Sequence, residues 1–129
     1  MNATKLFEYT VEVMGQNVGN SSTYSDIYLS NLNMILADTF KLENNNREYL
    51  GLDKLTQYPV ITDITATIPY QENIVRNVLV WGLARQFALS DENTMTSGFY
   101  AQNYADAYNS ENKAIRKEMI DYYSTDGLL

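Results

Sequence analysis

The sequence holds no cysteine and no histidine in its 129 residues. The first absence excludes disulfide staples and thiolate chemistry; the second removes the commonest general base and zinc ligand near neutral pH. Positive charge is scarce too: nine Lys and Arg stand against sixteen Asp and Glu, giving a formal net charge of −7 and a pI near 4.4. That balance disfavours binding to a phosphate backbone, which depends on cations displacing counterions. No run approaches the roughly 18 apolar residues of a membrane span. The first residues, MNATKLFEYTVEVMG, carry one lysine followed by glutamates and do not read as a secretory signal. Without such a signal, the sequons Asn2-Ala3-Thr4 and Asn20-Ser21-Ser22 are chance products of an asparagine-rich chain.

What is present is a globular composition, 45% hydrophobic, enough for one domain with a modest core. Leu6, Phe7, Thr10, Val11 and Met14 recur at helical spacing, and Gly15 stands where a left-handed cap ends a helix. Tyr24, Ile27, Tyr28, Leu32, Ile35, Leu36 and Phe40 advance by three and four, marking a second amphipathic helix. The stretch ENNNREYLGLDKLTQYPVITDITATIP collects both prolines, a glycine, an asparagine run and β-branched residues, and predicts an extended arm or short β-hairpin. A third helix, QENIVRNVLVWGLARQFALSDEN, is apolar on nearly every side. The fourth, capped by Asp91 or Asn93, would reach about 45 Å and outrun so small a body. The expectation is an all-α, small four-helix bundle: helices at about 3–14, 23–41, 70–90 and 94–123, an arm at 44–67 and a tail at 124–129.

The sequence holds little from which a catalytic site could be assembled. Glu8 and Glu12 stand at i, i+4 and could orient a carboxylate pair, but a solvated helix face accounts for them more simply. DENTMT at Asp91 opens like an EF-hand loop, yet Met95 occupies a ligand position and the loop glycine is missing, so a helix cap is the better reading. Lys113, Arg116 and Lys117 alternate with Glu111 and Glu118 at pair-forming spacing. Tyr100, Tyr104 and Tyr108 resemble a stacking platform, but on an acidic chain core or protein-interface packing fits better. No enzyme activity, cofactor or metal site is expected.

The order of YPVITDITATIP, VWGLARQFALSDEN and a closing FYAQNYADAYN helix resembles the head-completion, or head-to-tail connector, proteins of tailed bacteriophages. NLNMILADTF (31–40) is similar to the end of that family's second helix, IPYQENIVRNVLVWGLARQFAL (68–89) to its core helix, and YAQNYADAYNSENKAIR to its closing helix. The resemblance implies a portal-ring adaptor made in the bacterial host cytoplasm and built into the virion neck, non-enzymatic, in a homo-oligomeric ring of typically twelve copies. Its partners would be the portal above and tail or neck proteins below, with DNA passing through the lumen without specific binding and no membrane involved. By that analogy the arm, with Val60, Ile61 and Ile64, and the tail, with Leu128 and Leu129, reach neighbours or the portal.

The over-apolar third helix places Trp81, Arg85 and Ala88 near a neighbouring subunit, with Tyr100, Tyr104 and Tyr108 as further interface positions. The alternative from another class is a small helical protein that binds and regulates a host protein through its Tyr-rich face. More distant is a hydrolase using Glu8 and Glu12.

Overall fold

The computed structural model describes residues 1–16 and 22–125, with side chains for 1–16 and 23–112. Its regular elements are helices: α1 (Ala3–Val13), α2 (Ser22–Asp38), α3 (Phe40–Leu50), a composite α4 and α5 (Thr94–Thr125). Within α4, a first turn Glu72–Ile74 leads through a π-helical turn Val75–Leu79 into Val80–Ser90. The all-α expectation holds for the described residues. Among the described residues the only pairing of β type is an antiparallel bridge of Asn2 with Thr67, so the segment expected as an arm or hairpin forms no hairpin.

Local chemistry accounts for the helix limits. The Asn2 side chain accepts from the Lys5 N–H at 2.8 Å and caps α1. At the other end Gly15 takes φ 76°, and the N–H groups of Gly15 and Gln16 close back onto Glu12 and Val11. The end of α3 repeats the pattern at Gly51, φ 74°, with Leu52 N–H on the Arg47 carbonyl at 2.8 Å. Between α2 and α3 only Thr39 intervenes, its hydroxyl donating to the Ile35 carbonyl at 2.7 Å. Side chains that bond back to the preceding turn tend to bend helices. The second helix therefore stops at Asp38 rather than 41, and the residues from Phe40 swing into a new one.

α4 is the central strut. Ile74, Val75, Val78, Leu79, Val80, Leu83, Ala84, Phe87 and Ala88 are all buried, because α1, α2 and α5 pack around this helix. Phe87 stacks on Tyr24 at 4.6 Å and meets Phe7 edge-on at 5.9 Å, and Phe7 in turn packs on Tyr28 at 4.9 Å. Gly82 lets α2 and α5 close in: a β-carbon there would stand 2.9 Å from Ile35 Cδ1 and 3.2 Å from Tyr104 Cε1. The apolar surplus that sequence alone would direct to a neighbouring subunit is consumed inside one chain.

Candidate interaction surface

The segment after α3 is held to the bundle by side chains instead of strands. Asn44 accepts from the Leu55 N–H at 2.8 Å and donates to the Leu55 carbonyl at 3.1 Å. Asn33 treats Ile61 the same way, at 2.7 and 2.9 Å. Each amide thus satisfies one residue's donor and acceptor together, as a partner strand would. Further along, Thr4 N–H reaches the Ile64 carbonyl and Ala3 N–H the Ala66 carbonyl, both at 2.9 Å, while Ile68 N–H reaches Met1. Between the two asparagine clasps lies a knuckle, residues 56–60. Its Tyr58 ring rests edge-on against Phe40 at 4.7 Å yet stays 58% exposed, and Val60 is 69% exposed.

A buried ion pair anchors the base of this segment. Arg47 Nε donates to Glu43 at 2.7 Å, and its other nitrogens reach the carbonyls of Pro69 at 2.6 Å and Asp53 at 3.2 Å. Glu43 also accepts from the Gln71 N–H at 3.0 Å. Burial pushes the Glu43 carboxyl above its ordinary range, against the opposing pull of Gln71 and Arg47. A buried charge is tolerated only with partners of this kind. The predicted arm 44–67 therefore starts late: its first residues belong to α3, where the asparagine run that reads as a breaker serves as tertiary clasps. Asn46 pairs with Asn73 at 3.2 Å, and Asn73 and Asn77 both donate to Glu111, at 3.2 and 3.0 Å.

The expected interface residues divide sharply. Ile61, Ala88 and Tyr100 are buried within the chain, so they present no face to a neighbour. Trp81 is half-buried and stacks on Tyr100 at 5.9 Å. Tyr104 is half-buried, its hydroxyl donating to Asp38, and burial followed by that contact raises its pKa. Tyr108 packs partly against the core, also with a raised pKa from burial. The tyrosine row thus faces α2 and α4. Arg85 is half-buried and makes no ion pair among the described residues. Val60 and Ile64 are exposed. Leu128 and Leu129 lie outside the described residues.

Sequence reasoning missed a second apolar surface, around the turn from α4 to α5. Leu89 is exposed there, Met95 is 86% exposed and Phe99 62% exposed, with Phe99 in ring contact with Tyr100 at 5.8 Å. Met95 and Phe99 stand four apart on α5, a spacing that puts both on one face. That signal was present in the sequence but reads as core until the burial of Tyr100 and Tyr104 fixes which face turns inward.

The carboxylates Glu8 and Glu12 line an open groove of about 470 Å³ with Lys5, Tyr9, Glu72 and Arg76. Glu72 is held below the usual carboxylate range by the Met1 amine at 2.6 Å and by Arg76 at 2.8 Å. Among the described residues no set of three or more acidic side chains is placed to hold a metal ion, and no helix is long and apolar enough to cross a membrane. Asn93, and not Asp91, caps α5, accepting from Thr96 N–H at 3.1 Å, while Asp91 accepts from the Tyr24 hydroxyl. No protein-family model, curated protein or solved structure matches the chain.

Proposed function

We propose that this chain is a non-enzymatic structural adaptor of a tailed-bacteriophage virion, forming a ring between portal and tail that extends the DNA channel and helps retain packaged DNA. The observation that carries the reading is α5. Glu111 is fastened to Asn73 and Asn77 at the start of α4, yet the helix continues through residues 113–125, about 20 Å further at 1.5 Å per residue. A helix that outruns the one it is fastened to, as Thr94–Thr125 outruns Glu72–Ser90, offers surface for partners. In this reading α1, α2, α4 and α5 are the four-helix unit of the connector family, α3 is an addition to it, and the clasped segment 51–70 stands in for the arm.

Two further features support it. The net charge of −7 suits a lumen past which DNA slides without adhering. The four most exposed large apolar side chains described, Tyr58, Val60, Met95 and Phe99, fall in two separate segments, and head-to-tail contacts that close by rotation need two different patches. The test is to mix the chain with portal rings of its phage, determine the mass of the complex and image it. A closed ring of about twelve copies seated on the portal is the expected result; a chain that ignores the portal at every concentration sinks the reading.

A further inference from the structure

We propose that residues 52–69 form a strap that lifts off the bundle as one unit while the helices stay folded, with the Glu43–Arg47 pair closing its neck. The inference goes beyond the adaptor reading and holds whatever the chain assembles with. Its basis is where the strap is fastened. The Arg47 guanidinium reaches the Asp53 carbonyl at 3.2 Å and the Pro69 carbonyl at 2.6 Å, so the strap leaves and rejoins the body within the span of one side chain. Glu43, held by Arg47 at 2.7 Å, accepts from the Gln71 N–H at 3.0 Å and ties in the start of α4. Surface loops whose ends lie together in this way are structural units in their own right.

Beyond the neck the fastenings are few and discrete. Asn44 on α3 holds Leu55, Asn33 on α2 holds Ile61, and Met1, Ala3 and Thr4 meet Ile68, Ala66 and Ile64. Phe40 adds its ring contact with Tyr58, and Glu48 an exposed pair with Lys54 at 3.2 Å. Inside the strap, Asp63 accepts from the Thr65 and Ala66 N–H groups, a turn that needs nothing from the bundle. Only Ile61 and Ile68 are buried between 52 and 69, against nine apolar side chains over a similar length of α4. Apolar burial is the main force that holds a segment down, so the strap is the weaker unit. Its feet are free to turn. Gly51, φ 74°, has open space where a β-carbon would stand, and Gln71 is extended, ψ 148°, with no side-chain cap on the helix it begins. Residues at the ends of elements are where hinges absorb such rotations. With the neck open, each half of the strap spans at most about 30 Å, enough to carry Tyr58 and Val60 well clear of the body.

Native-state hydrogen exchange on the full chain tests this. The amides of Leu55, Ile61 and Ile68, and those of Ala3 and Thr4 that donate to the strap, are expected to share one opening constant within about threefold. That constant should exceed the one for Leu83 and Phe87 in α4 by about 100-fold or more and depend less on urea. Asn44→Ala removes a partner of Leu55 alone, yet should raise the constant at Ile61, Ile68, Ala3 and Thr4 together by about tenfold, because a single unit opens at every anchor or at none. Arg47→Met should do the same from the neck; if that variant does not fold, Asn44→Ala decides. Trp81→Ala, at the contact of α4 with α5, should speed exchange in α4 and leave the five amides within about threefold, since that contact survives lifting. Five amides that exchange only at the constant and urea slope of α4 overturn the inference, as do five widely different constants. Acceleration of Leu55 alone in Asn44→Ala shows independent clasps and overturns it too. So does a Trp81→Ala chain in which the five amides speed up as much as α4.

Discussion

Glu92 has a left-handed backbone, φ 58°, at the end of α4. Its N–H bonds to the Leu89 carbonyl and that of Asn93 to Ala88, both at 3.0 Å, the same closure that glycine makes after α1 and α3. A side chain with a β-carbon is strained there. Glu92→Gly is therefore expected to stabilise the fold by about 0.5–1 kcal/mol, read from the urea midpoint at an unchanged slope. Glu43 yields a pH prediction. Its folded pKa lies above the ordinary value of 4.5, so between those two values the folded state binds more protons than the unfolded chain. Its contribution falls as pH rises from 4.5 through the folded pKa; Glu72 and Asp63, with lowered pKa values, act only below the usual carboxylate range and lose stability as pH falls. In Glu43→Gln the decline above pH 4.5 should disappear from unfolding curves taken across that window, whatever the variant's absolute stability. The cap at Gly15 was legible from sequence because glycine after an apolar period has one common meaning. The cap at Glu92 was not, because nothing in glutamate announces a left-handed turn.

Helix by helix, periodicity located α1, α2, α4 and α5 because each buries an apolar stripe, and it missed α3 because that helix buries Leu42 together with a glutamate and an asparagine. Polar residues become core only when partners from distant segments satisfy them, and spacing along the chain carries no record of those partners. Removing a clasp tests this directly. Asn33→Ala leaves the Ile61 N–H and carbonyl without their partner and should cost about 1–3 kcal/mol, with faster tryptic cleavage after Lys54 as the segment loosens. At the centre of the bundle, Gly82→Val would force Ile35 and Tyr104 apart, an overpacking cost of about 1–3 kcal/mol in thermal or urea unfolding. Trp81 changes its expected role by the same geometry: stacked on Tyr100 and half-buried, its truncation to alanine should cost about 2 kcal/mol of folding stability and not merely assembly. If Trp81→Ala unfolds at the wild-type urea midpoint, that packing account is wrong.

For the molecule as a whole, fold class was legible and partner surface was not. An apolar helix announces that something must cover it, but not whether the cover belongs to the same chain; here α1, α2 and α5 supply it, and the most exposed large apolar groups described are Tyr58, Val60, Met95 and Phe99. Val60→Asp should leave the folding stability within about 0.5 kcal/mol of the parent, as expected for an exposed site with no buried partner. The asparagine clasps and the bonds from Thr4 and Ala3 to Ile64 and Ala66 have one more consequence, in the order of folding. α4 and α5 are joined by a short turn and close a small loop, whereas the backbone bonds from α1 to the clasped segment join residues about sixty positions apart. Loop entropy delays contacts so distant until neighbouring elements are in place. The α4–α5 pair should therefore protect its amides first in a pulse-labelled refolding experiment, and the N–H groups of Ala3, Thr4 and Ile68 last. The clasped segment that carries Tyr58 and Val60 would then be the last part of the chain to take shape, set only once the helices have folded beneath it.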